Sequence, residues 1–339
     1  MPDYGKVDAD FFDEYIYPHL GASRDEVRLG PTAGVDFGVV EVDDSALVVA
    51  TDPLSILPAL GFERAATFAL DIVLADVAVS GLPPQYLSIS FTLPPEMTDE
   101  EFATVWQAID EKATDLGVSV VTGHTARYEG CEYPWVGGAS VFALGNPDDI
   151  VRPNGTQPGD DVIVTTGPAV EAVGLLTTLF GEQMDLPEAT LTMATDGLAE
   201  TGTVRDALTA ATTGPITAMH DATECGLQGA LTEIAESAGV RLDIDRSAVP
   251  TKPAVQEVCS YLDIEPWHAT SSGTLLITVR PDGTESVIEA LRDRGTTAAV
   301  IGTASNGSGT YIDSERVRHP SVDPSWTVYA EYADQQTDN

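Results

Sequence analysis

The chain has 339 residues, which is enough for two domains with a substantial core, and 43% of its residues are hydrophobic. It carries 54 aspartates and glutamates against 16 lysines and arginines, so its formal net charge is −38 at pH 7. This charge argues against nucleic acid as a partner, because phosphate contacts need a basic surface, and no apolar run is long enough for a membrane span.

The acidic residues are spread along the chain, and lysine occurs only at positions 6, 112 and 252. This composition indicates adaptation to a salt-rich cytoplasm, a halophilic setting in which short-range screening limits self-repulsion. Cys131, Cys225 and Cys259 are widely spaced, and the first residues show no signal peptide. We therefore expect a reduced, cytoplasmic protein without a cysteine-based zinc site.

The first half of the sequence alternates irregularly between strands and helices. Asp8 or Asp10 is a candidate cap for a first helix that ends near Gly21, and Thr98 with Glu101 forms a capping box. Strands are predicted at 35–42, 46–51, 86–93, 118–123 and 136–145, with helices at about 63–80 and from Thr98 to Gly117. This order predicts an α+β domain rather than a Rossmann alternation, and neither GxGxxG nor GxxxxGK[ST] occurs.

A segment rich in Pro, Gly, Asn and Asp at 146–160 predicts a domain boundary, which gives domains at 1–150 and 151–325. In the second half, strands are predicted at 161–167, 215–220, 240–244, 273–279 and 298–303, and helices at 168–180, onward to about 211, and at 226–239, 253–262 and 284–295. The chain after Val317 is polar, so we expect it to be loosely held and to finish in a polar tail at 326–339.

Several aspartates lie in apolar surroundings. Asp71 and Asp76 fall in the almost wholly apolar segment 65–84, which contains no base, Asp52 follows the strand-like run 46–51, and Asp36 lies in GVDFGVV. A buried carboxylate needs a cation or good hydrogen bonds, and oxygen-only ligands favour Mg²⁺ completed by a polyphosphate. The alternative is that each acid faces solvent. Asp71 is the weaker candidate, because it lies roughly 140° around a helix from Asp76.

Six segments in order resemble the superfamily of aminoimidazole ribonucleotide synthase (PurM) and the hydrogenase-maturation protein HypE, to which thiamine-monophosphate kinase and selenophosphate synthetase also belong. They are GVDFGVV (34–40), ATDPLS (50–55), LADVAVSGLPPQYLSISFTLP (74–94), VSVVTGHT (118–125), PGDDVIVTTG (158–167) and HDATECGLQGALTEIAESAGVRLDI (220–244). Segments 74–94 and 220–244 are most similar to HypE.

The resemblance implies a two-domain PurM-like fold of the α+β class. Its N-terminal domain would pair with a second subunit in a β-barrel homodimer, and its C-terminal domain would be α/β. It also implies ATP and Mg²⁺ as cofactors, with nucleotide phosphates bridged to aspartates through the metal. On this basis we expect Asp36, Asp52 and Asp76 to be metal and cofactor ligands and Asp76 and His124 to be catalytic residues. The expected cofactor contacts are Gly123, His124, Thr125, Arg127, Asp221 and Thr223.

For several other residues the sequence leaves two interpretations open, one functional and one structural. His124 stands where HypE and the thiamine-phosphate kinases have an acid, and it is either a ligand or a histidine at a strand end. Arg127 is a candidate phosphate contact or a partner of Glu129 or another surface acid. Asp221 and Thr223, with Glu224 and the turn Ser271-Ser272-Gly273, either contact an anion or only cap a helix. His220 and His268 are expected to be core or rim histidines, and Cys131 and Cys225 to be inert thiols.

The predicted function is that of an ATP- and Mg²⁺-dependent, HypE-like enzyme that activates or phosphorylates an unidentified small-molecule or protein-thiol acceptor. No cysteine follows Cys259, so HypE chemistry on the chain's own tail is not expected. The motifs expected of selenophosphate synthetase, aminoimidazole ribonucleotide synthase and thiamine-phosphate kinase are also missing. The rival functions are a small-molecule kinase of the thiamine-monophosphate type and a non-catalytic, nucleotide-binding scaffold or maturation partner.

Overall fold

The computed structural model describes residues 5–7, 9–32 and 34–337, so Asp8, one of the two candidate caps, lies outside the described residues. The chain divides into two compact units. The N-terminal unit consists of residues 23–31 and 36–150. The C-terminal unit consists of the described residues of 1–22, 32–35 and 151–339. Two short early segments thus group with the second half of the chain, whereas the sequence analysis placed all of 1–150 in one domain.

Before residue 23 the described residues include one short helical run, which begins with α1 (Ala9–Phe11) and continues through a π turn to a 3₁₀ turn ending at His19. The N-terminal unit then contains strands β1 (Val27–Leu29), β2 (Gly38–Val42), β3 (Ser45–Ser55), β4 (Tyr86–Leu93), β5 (Ser119–Arg127) and β6 (Trp135–Gly145), with helices α2 (Phe62–Ala78) and α3 (Asp99–Leu116). The strands form one sheet in the order β1-β2-β3-β6-β4-β5, so β5 is an edge strand. β4 and β5 run parallel, and the other neighbours are antiparallel.

One face of this sheet is covered by helices and the other is open. Helix α2 packs against β3 and β6, and α3 packs against α2. Along β4 the buried and more exposed residues alternate with a period of two, as predicted for a strand covered on one side. The predicted capping box is confirmed, because the Glu101 amide donates to Thr98 Oγ1 and the Thr98 amide donates to a Glu101 carboxylate oxygen.

The C-terminal unit contains strands β7 (Asp161–Thr165), β8 (Ile216–Ala222), β9 (Arg241–Ile244), β10 (Thr274–Val279), β11 (Ala298–Ser305), β12 (Gly309–Ile312) and β13 (Glu315–Arg316). Its helices are α4 (Val170–Phe180), α5 (Glu188–Asp196), α6 (Val204–Thr213), α7 (Gly226–Ala238), α8 (Pro253–Leu262), α9 (Thr284–Asp293) and α10 (Pro324–Thr337). The strands pair in the order β13-β12-β9-β11-β7-β10-β8. Strand β10 is buried at every position, which explains its continuous apolar run.

The two ends of the chain differ in how well the sequence predicted them. The first helix, predicted to end near Gly21, is present as a contiguous helical run from Ala9 to His19 whose geometry changes from α to π to 3₁₀. The expectation of a loosely held C-terminal tail is wrong. The segment after Val317 is held by the C-terminal unit, and the residues expected to form a polar tail lie mostly in α10. Val328 of α10 is buried in the apolar cluster formed by α4, α5 and α8, with Tyr332 packed beside it. Among the described helices, none is both long and apolar enough to span a membrane.

Candidate functional site

The register of the N-terminal sheet shows which side of the sheet carries each predicted cofactor residue of β3 and β5. Residues that pair side by side across neighbouring strands are called a row here. Asp52 pairs with Ala139 of β6, Ala139 with Ile89 of β4, and Ile89 with Gly123 of β5. Residues of one row point to the same side of the sheet. Because Ala139 and Ile89 are buried, Asp52 belongs to the helix-covered face, and it stands about 14 Å, or three strand spacings, from Gly123.

Close backbone packing explains why glycine occupies this region of the sheet. A Cβ atom at Gly123 would lie 2.4 Å from the Ile89 carbonyl oxygen. At Gly137, where φ is +150°, a Cβ would lie 1.9 Å from the Ser90 carbonyl oxygen. Both distances are shorter than any real Cβ contact, so a larger residue would force β4 away from its neighbours.

The three aspartates predicted to bind metal lie on three different elements of the N-terminal unit. Asp36 precedes β2, Asp52 is in β3 and Asp76 is in α2, and all three are half-buried. Asp76 lies on the helix that packs against β3, the strand that carries Asp52. Their oxygen atoms do not all lie within 4.8 Å of one another, so they do not form a closed metal cage. Their donor set is nevertheless oxygen-only, which fits Mg²⁺ that keeps water and phosphate ligands.

Asp71 is a structural residue with a partner that its own segment could not reveal. Its carboxylate is 6% exposed and forms an ion pair with Lys112 of α3, with 2.8 Å between Lys112 Nζ and Asp71 Oδ1. Burial raises the pKa of the Asp71 carboxyl, and the Lys112 ammonium opposes that shift. The ion pair joins α2 to α3 and gives the Asp71 carboxylate a protein cation as its partner.

His124 is exposed and lies on the other face of the sheet from Asp52. It is in register with Ser90, an exposed residue of the open face, and its Nε2 lies 3.1 Å from Tyr128 Oη. Thr125, by contrast, is in register with the buried Phe91 and belongs to the helix-covered side. The structure therefore brings Gly123 and Thr125, but not His124, to the side of the sheet that carries Asp52.

Arg127, the last residue of β5, contacts the N-terminal region of α3. Its Nη2 donates to Asp99 Oδ1 at 2.8 Å and to the Met97 carbonyl oxygen at 3.0 Å. Of the two readings left open by the sequence, the structure shows the surface-acid pairing, with Asp99 in place of Glu129. Both side chains remain substantially exposed, so this ion pair contributes at most about 1 kcal/mol to stability.

In the C-terminal unit, Asp221 and Thr223 lie where β8 passes into the loop before α7. Asp221 is 2% exposed and Thr223 is half-buried. Thr223 Oγ1 accepts a hydrogen bond from Lys6 Nζ at 3.2 Å. No side chain caps α7, so the predicted capping role of Asp221 and Thr223 is wrong.

The amide groups before and within the first turn of α7 are largely engaged by the protein itself. The Cys225 amide donates to Asp323 Oδ2, the Gly226 amide to the Thr223 carbonyl and the Gln228 amide to the Trp267 carbonyl. An anion at this helix end would therefore have to displace internal hydrogen bonds, which weakens the predicted role of these amides.

The turn Ser271-Ser272-Gly273 forms internal contacts with the start of α4. Ser271 Oγ accepts from the Ala169 amide and donates to the Ala269 carbonyl oxygen, both at 2.7 Å. The Ser272 amide donates to Glu171 Oε2 at 2.8 Å, and burial raises the pKa of the Glu171 carboxyl. Glu171 could not be found from the sequence, because it is one acid in an ordinary helix and nothing local shows that it is buried.

Cys225 and Cys259 are protonated thiols at neutral pH. Burial, followed by the nearby carboxylates of Asp323 and Glu224, raises the pKa of Cys225 to about 12. Burial and Glu265 raise the pKa of Cys259 to about 12. The expectation that Cys225 is inert agrees with these values, because the thiolate is the reactive form.

Two histidines of the C-terminal unit, His220 and His268, are withdrawn from solvent. His220 Nε2 lies 2.8 Å from a carboxylate oxygen of Glu233, and His220 itself is buried. Burial lowers the pKa of the half-buried His268. The contact of Glu233 could not be predicted from the sequence, because no local pattern indicates that it pairs with His220, thirteen residues away in β8.

Family comparison agrees with the fold and the order of motifs. Residues 34–145 match the family described as AIR synthase related protein, N-terminal domain, and residues 157–314 match its C-terminal domain. The chain belongs to the AIR synthase related protein family. The two-domain PurM-like fold of the α+β class predicted from the sequence is thereby confirmed.

Sequence relatives of this chain include carbamoyl dehydratases named HypE. The protein of Rhizobium leguminosarum bv. viciae is 28% identical over 275 residues, which is 80% of this chain and 77% of that protein. The Escherichia coli K12 protein is 27% identical over 308 residues, which is 89% of this chain and 87% of that protein. The chain is therefore HypE-like.

Solved structures show the same fold. The crystal structure of E. coli HypE matches with a TM-score of 0.70 and 26% identity, covering 82% of this chain and 87% of that one. HypE in complex with ATP matches with a TM-score of 0.68 and 21% identity, covering 93% and 94%. AaThiL complexed with AMPPCP and TMP matches with a TM-score of 0.68 and 20% identity, covering 85% and 90%. The last two similarities establish the fold alone.

Proposed function

We propose that this chain is an ATP- and Mg²⁺-dependent enzyme of the HypE-like group that activates or phosphorylates an acceptor. The observation that carries the proposal is the set of three half-buried aspartates, Asp36, Asp52 and Asp76, on separate elements of one unit. Half-buried carboxylates retain accessible oxygens while losing part of their hydration, which suits them to a hard cation. Relatives named HypE, one of them solved with ATP, support the choice of nucleotide.

In this proposal Asp36, Asp52 and Asp76 hold Mg²⁺, and bound Mg²⁺ supplies charge neutralisation of the nucleotide phosphates. Gly123 is in register with Asp52 through Ala139 and Ile89, and Thr125 offers a hydroxyl on the same side of the sheet, so both are proposed cofactor contacts. Asp221 and Thr223 are the proposed nucleotide contacts of the C-terminal unit. Arg127 would contact a phosphate only by leaving Asp99.

The role of His124 in this proposal differs from the role predicted from the sequence. The sheet register puts it on the open face, so it is assigned no part in holding the metal. Its catalytic role remains a prediction, and its predicted cofactor contact is tested by His124→Ala. We expect this variant to keep the wild-type affinity for Mg-ATP, and a tenfold loss of that affinity would instead support the cofactor contact predicted from the sequence.

Isothermal titration of ATP into the protein, with and without Mg²⁺, tests the proposal. The expected result is binding that requires Mg²⁺, since the aspartates alone would repel the phosphates. Binding that is equally tight when EDTA replaces Mg²⁺ would contradict the metal-bridged site. Absence of binding in both conditions, with an unchanged circular dichroism spectrum, would contradict nucleotide binding altogether.

A small-molecule kinase is the second candidate, and the fold match to AaThiL complexed with AMPPCP and TMP favours it. The two functions differ in where the γ-phosphoryl group finally resides. Phosphorus NMR of a reaction with a candidate acceptor would show a stable phosphorylated product for a kinase. Release of inorganic phosphate with a changed acceptor would instead support transient activation.

A non-catalytic nucleotide-binding scaffold or maturation partner is the third candidate. It predicts Mg-ATP binding without turnover in the presence of any acceptor. Quenched-flow measurement of ADP formation, at enzyme concentrations above those of the acceptor, separates it from the first two. A single turnover of bound ATP would contradict the scaffold.

The open face of the N-terminal sheet supports the proposal of a homodimer. Val40, Leu47 and Leu144 align across β2, β3 and β6, and Phe142 aligns with Val49 and Tyr86. These apolar side chains are half-buried or exposed, whereas the opposite face is covered by α2 and α3. A contiguous apolar sheet face is typical of a surface that packs against another sheet.

A further inference from the structure

The C-terminal segment 318–326, called here the strap, is fastened to the loop that precedes α7. The side-chain amide of Gln228 donates to the Arg318 carbonyl oxygen at 2.8 Å, and the Cys225 amide donates to Asp323 Oδ2 at 3.0 Å. Trp326 Nε1 donates to Glu224 Oε1. The loop that carries Thr223 is therefore held in place by a segment almost a hundred residues further along the chain.

Asp323 anchors the strap through buried hydrogen bonds. It is 4% exposed, and its Oδ1 accepts hydrogen bonds from the Ser325 amide and hydroxyl while its Oδ2 accepts from Cys225. The strap then continues into α10, where Val328 is buried in the core. These contacts anchor the C-terminal half of the strap whatever happens at its N-terminal half.

His319 is the charged contact of the N-terminal half. Its Nδ1 lies 2.7 Å from the Pro320 carbonyl oxygen, and since a carbonyl can only accept, Nδ1 carries a proton. Its Nε2 lies 3.6 Å from Glu233 Oε1, an ion-pair distance rather than a hydrogen bond. With Nδ1 protonated, neutral His319 would point a lone pair at a carboxylate. Only the imidazolium makes both contacts favourable.

The groups around His319 all favour this charge. On α7, Glu233 and Glu236 are both close enough to act on it electrostatically, and Gly229 leaves space under the ring, since a Cβ there would lie 3.2 Å from Nε2. From β8, His220 binds the other oxygen of Glu233. Burial opposes ionisation of Glu233, but its bonds to His220 and His319 outweigh this and lower its pKa, so the carboxylate stays charged.

We propose that His319 is a pH-dependent latch whose protonated ring fastens the strap to α7 and whose deprotonation releases residues 318–320. The contact with Glu233, then the Pro320 carbonyl, raises the pKa of His319 above its ordinary value of 6.5, although burial opposes the shift. A raised folded-state pKa means that the latch is closed at lower pH and opens as the pH rises through that pKa.

Hydrogen exchange of the nucleotide-free protein, read by mass spectrometry from about pH 6 to about pH 9, tests the latch directly. After correction for the intrinsic pH dependence, exchange of the Arg318 and His319 amides should increase on the order of tenfold across this range, the equivalent of about one pKa unit, whereas the amides of 321–326 should show no such increase. Peptides from α8 should show no such increase. His319→Gln should remove the pH dependence, and His19→Gln, at an exposed histidine outside the strap, should leave it unchanged.

Histidine-selective ¹⁵N NMR gives a second readout that does not require the strap to move. His319 should show both ring nitrogens protonated at pH values where a free imidazole is neutral, and Glu233→Gln should abolish this difference. The latch is overturned if corrected exchange of the Arg318 and His319 amides is independent of pH in the wild type, or if His319→Gln keeps the wild-type dependence. It is equally overturned if His319 titrates at its ordinary value.

Discussion

Lys112 Nζ lies 2.8 Å from Asp71 Oδ1, so an ion pair fixes α3 to α2 at a point where the carboxylate is nearly inaccessible to water. This contact distinguishes Asp71 from Asp76, although both aspartates lie in the same apolar segment of the sequence. Asp71 has a protein cation as its partner, whereas Asp76, one and a half turns further along α2, is half-buried on the same helix. The pair therefore makes Asp71 an internal control for any test of Asp76.

Replacing Lys112 with Met should destabilise the protein by about 3 kcal/mol, because it leaves the Asp71 carboxylate buried without a cation. Urea unfolding followed by circular dichroism measures this change. Lys252→Met is the matched control: Lys252 pairs with Glu200, which is half exposed, so its loss should cost less than about 1 kcal/mol. Equal effects of the two substitutions would show that burial of Asp71 does not decide the energetics.

Replacing Glu171 with Gln should make the protein less sensitive to pH. Burial raises the folded-state pKa of Glu171. The free energy of unfolding of the wild type therefore decreases as the pH rises from about 4.5 through that raised pKa, because the buried carboxyl must ionise. Gln keeps an acceptor for the Ser272 amide and the Thr270 hydroxyl but has no charge to bury. Melting temperatures of both proteins between pH 4 and 7 should converge at the acid end and favour the variant at the neutral end. Parallel curves would contradict the assignment.

The cysteines should differ sharply in reactivity. At pH 8 a thiol with a pKa of about 12 is roughly one part in ten thousand thiolate, so Cys225 and Cys259 should remain unmodified by a thiol reagent such as DTNB in the folded protein. Cys131, which is partly exposed in a loop of the N-terminal unit, should be the cysteine that reacts. Peptide mass spectrometry after labelling identifies the site, and fast modification of Cys225 would contradict its placement beneath the strap.

The proposed homodimer predicts a specific sensitivity to charge on the open sheet face. Leu144→Glu places a carboxylate among Leu47 and its neighbours in the sheet, so it should shift the protein from dimer to monomer in sedimentation equilibrium. Val300→Glu, at an exposed position of β11 in the C-terminal unit, should leave the dimer intact. A wild type that sediments as a monomer at high protein concentration would contradict the proposal.

Much of the N-terminal unit follows from local sequence signals. The Thr98–Glu101 capping box fixes the start of α3, and the alternation in 86–93 fixes β4, because both depend on neighbours a few residues away. The partner of Asp71 does not follow, since Lys112 is forty-one residues distant. The opposite orientations of His124 and Asp52 depend on the register of four strands, and the burial of Glu171 depends on a turn a hundred residues later.

The C-terminal end of the chain is a second case in which distant contacts, and not the local sequence, decide the structure. Residues 318–337 are polar enough to resemble a loose tail, and no local pattern reveals that Asp323 is buried beneath the loop before α7. Tertiary contacts with Cys225 and with the cluster around α4 decide the structure of this segment. Such contacts override local polarity, because buried hydrogen bonds and packed apolar surface outweigh the solvation lost.

Calorimetric titration of Mg-ATP into the wild type, Asp76→Asn and Asp71→Asn at high KCl concentration tests the magnesium–nucleotide site. Asp76→Asn should weaken binding tenfold or more, about 1.4 kcal/mol, because a charged metal ligand is lost. Asp71→Asn should keep the wild-type affinity, since the Asp71 carboxylate already pairs with Lys112. Unchanged affinity in a folded Asp76→Asn protein, or equal losses in the two variants, would contradict the proposed magnesium–nucleotide site.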